Sequence, residues 1–206
     1  LCTVSLSCSR SDSGASLTVM PTAYQRIKGW GVFPGYMNRS WSAYMIDKPA
    51  IQDIVYGEMG MTVARMKIIP QFYRDDALDT TLIDKTFIAQ LQNLKDRGVT
   101  RFITVPWSPP VEFKKCNTIS GKCPDGSDNA LLKEHEEAYV RFITRFINYI
   151  GYRWGRLPEY HSLQNEAGYA PRWDGCKYPV EQWRRMVLRI RESFDANGLD
   201  NLAIMG

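Results

Sequence analysis

Along most of the chain, apolar residues alternate between two rhythms: short continuous or β-branched runs, and longer stretches recurring every three to four positions. Residues 17–19 and 24–27 form short strand-like runs on either side of Pro21, the second leading into Gly29-Trp30-Gly31. Pro49 then opens a short helix carrying Ile51, Ile54 and Val55, stopped near Gly57 and Gly60. Residues 62–69 are β-branched and apolar, as expected of a buried strand, apart from Arg65 and Lys67. A helix follows from about Thr81, with Phe87, Ile88, Leu91 and Leu94 on one face and Gly98 just past its end. Residues 101–105 form the next strand. The third helix has the clearest period, through Tyr139, Phe142, Ile143, Phe146, Ile147 and Ile150, behind an expected cap at Asp128 or Asn129. A strand over residues 160–164 and a helix opened by Pro179, with Trp183, Val187, Ile190 and Phe194 on one face, come next. Residues 202–205 begin one more strand.

Strands alternating with helices in units of this length predict a parallel βαβ architecture. Two forms fit: a complete open doubly wound sheet, or about five strands of a (β/α)8 barrel. The 206 residues fall short of the roughly 250 of a complete barrel. The first 15 residues are Ser-rich and read as a loose arm.

Composition narrows the function classes. Hydrophobic residues make up 44% and charged residues 23%, as in ordinary globular domains. The net charge of +4 is spread out, and Arg184, Arg185, Arg189 and Arg191 are spaced like a solvated helix face, so nucleic acid is not an expected partner. No apolar run reaches the roughly 18 residues of a membrane span. The chain opens on Leu1 rather than Met, as expected of a mature or partial product without its signal peptide. Of the five cysteines, Cys116 and Cys123 bracket a turn-rich loop that a disulfide closes readily, although two separate thiols fit the same residues. Asn38-Arg39-Ser40 matches the N-glycosylation pattern, a short triplet that also arises by chance. Together these favour a secreted or extracellular protein. There is no C-x-x-C pair and only two histidines, so no metal site is expected; nor is any cofactor, since nucleotide-binding glycine motifs are absent.

Polar and aromatic residues gather near the strand ends, where α/β barrels and open sheets place their sites. Trp30 and Trp41 follow the first strand, Arg65 and Lys67 lie in the second, and the third ends in Pro106-Trp107-Ser108-Pro109-Pro110. Arg65, costly if buried alone, is expected to face the strand-end cavity and pair with a carboxylate, either at a site or as a structural ion pair. The fourth strand ends in Gln164-Asn165-Glu166. A carboxylic acid beside an amide is what a glycosidase needs to protonate a leaving oxygen and hold the neighbouring hydroxyl. Tyr169 and Trp173, with the tryptophans above, offer flat rings suited to sugar faces.

In order, Gly29-Trp30-Gly31, the residue 60–69 segment with Arg65, Trp107-Ser108-Pro109-Pro110 with Lys114, and Gln164-Asn165-Glu166 with Tyr169 and Cys176 resemble glycoside hydrolase family 30 over about residues 16–206. That family comprises retaining clan A glucosylceramidases, glucuronoxylanases and endo-β-1,6-glycanases. The resemblance implies the N-terminal part of a (β/α)8 barrel: residues 16–28 from an accessory β-domain leading into the first barrel strand, and residues 29–206 forming a partial catalytic domain cut within its fifth strand. It makes Glu166 the general acid/base and Asn165 its sugar-binding neighbour, with Arg65 and Trp107 lining the pocket of the cleaved sugar; Trp30, Tyr169 and Trp173 are expected, from their rings and position, to bind the β-linked glycan. Ala167 stands where the family has Pro after this Glu. The family's nucleophile, a Glu on the seventh strand, has no counterpart here; it is expected from a missing C-terminal half, in the same gene or a partner chain, and these residues alone are expected to be inactive. A non-catalytic carbohydrate-binding protein with a truncated barrel is the competing expectation.

Overall fold

A computed structural model describes residues 27–34 and 48–205. The segment 1–26, Asn38 and Trp41 lie outside the described residues. Among the described residues, five parallel strands form one sheet: β1 (Gly31–Val32), β2 (Val63–Ile68), β5 (Arg101–Pro106), β6 (Tyr160–Ser162) and β7 (Ala203–Met205), hydrogen-bonded in that order. Strands that neighbour in sequence order also neighbour in space, with a helical crossover between them. This is the winding of a barrel. A doubly wound sheet reverses direction in the middle, so that alternative is set aside.

The crossovers follow the apolar periods. The first is a short helix, α1, over Pro49–Gln52, continued by a wider π-helical turn over Asp53–Glu58. The second, α2, runs through Thr80–Ile83, a π-helical stretch at Asp84–Ile88, and Ala89–Lys95. Asp79 caps it, its carboxylate accepting from the Leu82 amide at 2.9 Å. The third, α3 (Glu136–Trp154), buries Tyr139, Phe142, Ile143, Phe146, Ile147 and Ile150, and ends at Gly155 in the left-handed conformation. The fourth, α4 (Val180–Ala196), buries Met186, Ile190 and Phe194.

Alternation along β2 divides its side chains between two environments. Ala64, Met66 and Ile68 join the core beneath the helices, with Phe72, Phe87, Phe102 and Phe146 among their neighbours in that cluster. Arg65 and Lys67 point to the opposite, concave face. On β6, His161 belongs to the helix side, where its ring lies 5.7 Å from Phe194. The concave face is more open toward the last strands: Tyr160 keeps 44% of its surface exposed and Met205 40%.

Two elements differ from the sequence expectation. The cap of α3 is not at Asp128 or Asn129; a 3-10 turn over Lys133–His135 leads into the helix, and His135 is the capping position. Asn129 is instead buried in the preceding loop, where its amide donates to Thr118 and Ser120 oxygens and accepts from the Cys116 amide. A small hairpin, β3 (Tyr73–Arg74) with β4 (Ala77–Leu78), was not anticipated. Its turn residues Asp75 and Asp76 both have positive φ, a conformation that short polar side chains tolerate best after glycine.

Candidate active site

The site grows from the carboxyl ends of β2, β5 and β6. Arg65 and Lys67, two apart on β2, rise on the same face and meet Trp107 directly after β5. The Arg65 guanidinium carbon lies 4.6 Å from the Trp107 ring centroid and the Lys67 ammonium 5.0 Å from it. Cations over an indole gain from the ring quadrupole, most where water is excluded. Phe33, just beyond β1, stacks on the same indole at 5.2 Å and 22°.

The turn after β6 is tied to this group through its backbone. The Asn165 amide donates to the Pro106 carbonyl at 2.8 Å, and the Gln164 side-chain amide donates to the Trp107 carbonyl. Asn165 is thereby held so that its Oδ1 accepts from Arg65 Nη2 at 2.8 Å. An amide oxygen is thus one partner of Arg65. The neighbouring cation, Lys67, forms an ion pair with Asp174. Burial pulls the Lys67 ammonium below its usual range, and the hydrogen bond and charge of Asp174 work against that shift.

Glu166 follows Asn165 at the outer end of the turn and is exposed. Its φ of 52° lies in the left-handed region, and its carbonyl accepts from the Tyr169 amide at 2.9 Å. Among the described residues its carboxylate makes no hydrogen bond. Tyr169 and Trp173 stand beyond it as an edge-to-face pair at 6.3 Å, about half exposed each.

Behind Asp174 lies a support that reaches across three segments. Lys114 is 1% exposed, and the three N–H groups of its ammonium are shared among four acceptors, Ser108 Oγ at 2.9 Å and the carbonyls of Ile119 at 3.0 Å, Ser120 at 2.9 Å and Gly175 at 2.8 Å. Burial pushes it down to about 8. The loop it grips is closed by the Cys116–Cys123 disulfide, as expected, with Cα atoms 5.7 Å apart. That loop pairs with the segment carrying the site: Gly121 donates to the Trp173 carbonyl at 2.9 Å, and Ser120 bridges Asp174. Both Gly121 and Gly175 press on Pro171, where any Cβ would come within 2.6 Å of its ring carbons.

Arg65, Trp107 and Asn165 are therefore brought together, with Tyr169 and Trp173 on the rim beside Glu166. Trp30 is not part of the group. Its carbonyl accepts from Thr62 and Val63, so it sits at the amino end of β2, the far end of the sheet. The ring at the carboxyl end of the first strand is Phe33, which the sequence reading passed over. Trp107 is only 4% exposed, so its faces serve the cations and Phe33 rather than offering an open platform. Asp174 and the clamp role of Lys114 were also missed; neither carries a periodic signal. Among the described residues no cluster of three or more His, Cys, Asp or Glu could hold a metal, and no helix is long and apolar enough to cross a membrane.

No family model matches the chain, and no curated protein matches it in sequence. Solved structures do match in fold. A glycoside hydrolase family 30 subfamily 8 xylanase from Clostridium acetobutylicum has 22% identity over 88% of this chain and 42% of its own, with a TM-score of 0.67. An endo-β-1,6-glucanase has 15% identity over 88% and 44%, with a TM-score of 0.65. A conserved exported protein from Bacteroides fragilis has 16% identity over 90% and 44%, with a TM-score of 0.71. The chain has the fold of the N-terminal portion of family 30-like barrels and spans less than half the length of these structures.

Proposed function

We propose that this chain carries the acid/base half of a retaining glycoside hydrolase acting on a β-linked polysaccharide or glycoside. The observation that carries the reading is Asn165, locked by Arg65 and the Pro106 carbonyl beside Glu166 at the carboxyl end of a barrel sheet. An amide fixed there suits the hydroxyl next to the reacting carbon. Glu166, whose carboxylate makes no hydrogen bond among the described residues, suits proton delivery to the leaving oxygen and then activation of water. A retaining mechanism needs a second carboxylate about 5 to 5.5 Å away to form the glycosyl-enzyme bond. We assign it to a strand outside these 206 residues, in the same gene or in a partner chain. Tyr169 and Trp173 then form an aromatic rim on the acid/base side of the cleft. The disulfide fits an extracellular setting.

The test is Glu166→Gln in the complete protein. Turnover of substrates with poor leaving groups should fall by roughly 100-fold or more, whereas glycosylation by activated aryl glycosides should suffer much less. Equal, minor losses for both would remove Glu166 from the acid/base role. Saturable binding of β-linked oligosaccharides without turnover would favour the alternative of a carbohydrate-binding protein, for which the exposed Tyr169–Trp173 pair is sufficient.

A further inference from the structure

We infer that Asp174 is a substrate-binding carboxylate of this cleft, accepting a hydrogen bond from an unsubstituted hydroxyl of a neutral sugar unit. The inference rests on the proposed glycosidase reading and deepens it. Asp174 is placed by the loop after β6, yet it meets Lys67 from β2, so it closes an arc running Asn165, Arg65, Trp107, Lys67, Asp174. Its Oδ2 is taken by Lys67; among the described residues Oδ1 accepts no hydrogen bond, and the side chain keeps 13% of its surface. An ionised oxygen with spare acceptor capacity at the edge of a cleft is matched by a hydroxyl donor.

Its position is set from two sides. Lys67, 2% exposed, holds the carboxylate in front. Behind, the next residue, Gly175, gives its carbonyl to Lys114, and Asp174 itself bridges Ser120 in the disulfide loop. An ordinary surface Asp has no such mounting, and a fixed carboxylate loses little freedom on binding. The local charge also selects. A uronate seated at Asp174 would set carboxylate against carboxylate, so the unit recognised there is uncharged.

The experiment compares wild type, Asp174→Asn and Asp174→Glu in the complete protein, using xylo-oligosaccharides and β-1,6-linked gluco-oligosaccharides with their deoxy analogues. Calorimetry gives affinity and steady-state kinetics gives KM and kcat. With the oligosaccharide that wild type prefers, Asp174→Asn should weaken binding roughly 10-fold or more, since a bond to a charged acceptor is lost. One deoxy analogue should bind wild type and variant equally, because the donor is already gone. A packing defect would weaken both sugars alike and would overturn the inference, as would unchanged affinity in Asp174→Asn. Asp174→Glu, which keeps the charge but moves it, should fold normally and fall between the two; a variant indistinguishable from wild type would count against a fixed geometry. If wild type neither binds nor cleaves any of the sugars, the glycosidase reading itself fails, an outcome distinct from a loss of Asp174 dependence.

Discussion

The most quantitative consequence concerns His161 and acid. It is fully buried; Nδ1 meets Thr104 Oγ1 at 3.0 Å, and Nε2 has no partner among the described residues. Burial pushes its pKa from 6.5 down to about 3, so the folded protein holds a neutral ring. The folded value lies below the unfolded one. As pH falls through 6.5 the unfolded chain therefore binds a proton that the folded chain refuses, and stability drains away until about pH 3. Each unit in that window costs about 1.4 kcal/mol. Stability should fall by about 2 kcal/mol between pH 7 and pH 5, and by about 4 kcal/mol between pH 7 and pH 3, from this residue alone. No solvent-screening discount applies to a ring sealed between the sheet and α4. The perturbation is His161→Gln, which removes the titration while keeping a polar group near Thr104. Guanidinium unfolding at pH 7, 6 and 5 should show wild type losing about 2 kcal/mol more than the variant over that range. The variant starts from lower stability, so the comparison is between slopes. Parallel slopes, within about 0.5 kcal/mol, would refute the reasoning.

Two further outcomes concern the clamp. Lys114→Met should cost about 3 to 5 kcal/mol in the same unfolding assay, because Ser108 Oγ and the Gly175 carbonyl stay buried without their donor; a loss under about 1 kcal/mol would mean the carbonyls find other donors. Peptide mapping without reductant should recover the Cys116–Cys123 pair, and the double Ser variant should lose about 2.5 kcal/mol for an eight-residue loop.

The parts of the fold legible in the sequence were those built on long apolar periods. In α3, six buried positions at helical spacing leave one solution, and β2 and β5 are largely apolar runs bounded by turns, interrupted in β2 by Arg65 and Lys67. Short elements were opaque for a physical reason. Gly31–Val32 is two residues long, too short to show which end faces the site, and so Trp30 was placed at the wrong end. The hairpin at Tyr73–Leu78 has two residues per strand and leaves no alternation to read. Asp128 and Asn129 have the chemistry of a helix cap, but their polar groups were already committed, Asp128 to Lys122 and Lys177 and Asn129 to the loop backbone. At the site, Asn165 and Arg65 could be read because a charge within an apolar strand calls for a partner. Asp174 could not, because a loop carboxylate becomes special only when Lys67 arrives from 107 residues away.

Under the proposed acid/base role, the left-handed backbone at Glu166 sets the interests of folding against those of chemistry. A residue with a Cβ there costs about 1 kcal/mol that glycine would not. A library screened only for heat resistance would drift toward glycine or asparagine at this position and discard the one exposed carboxylate of the turn. In natural variants the same substitution would therefore mark a lineage released from turnover, keeping its aromatic rim while gaining robustness. On the proposed acid/base role, position 166 is where this chain would record whether its history selected for catalysis or merely for persistence.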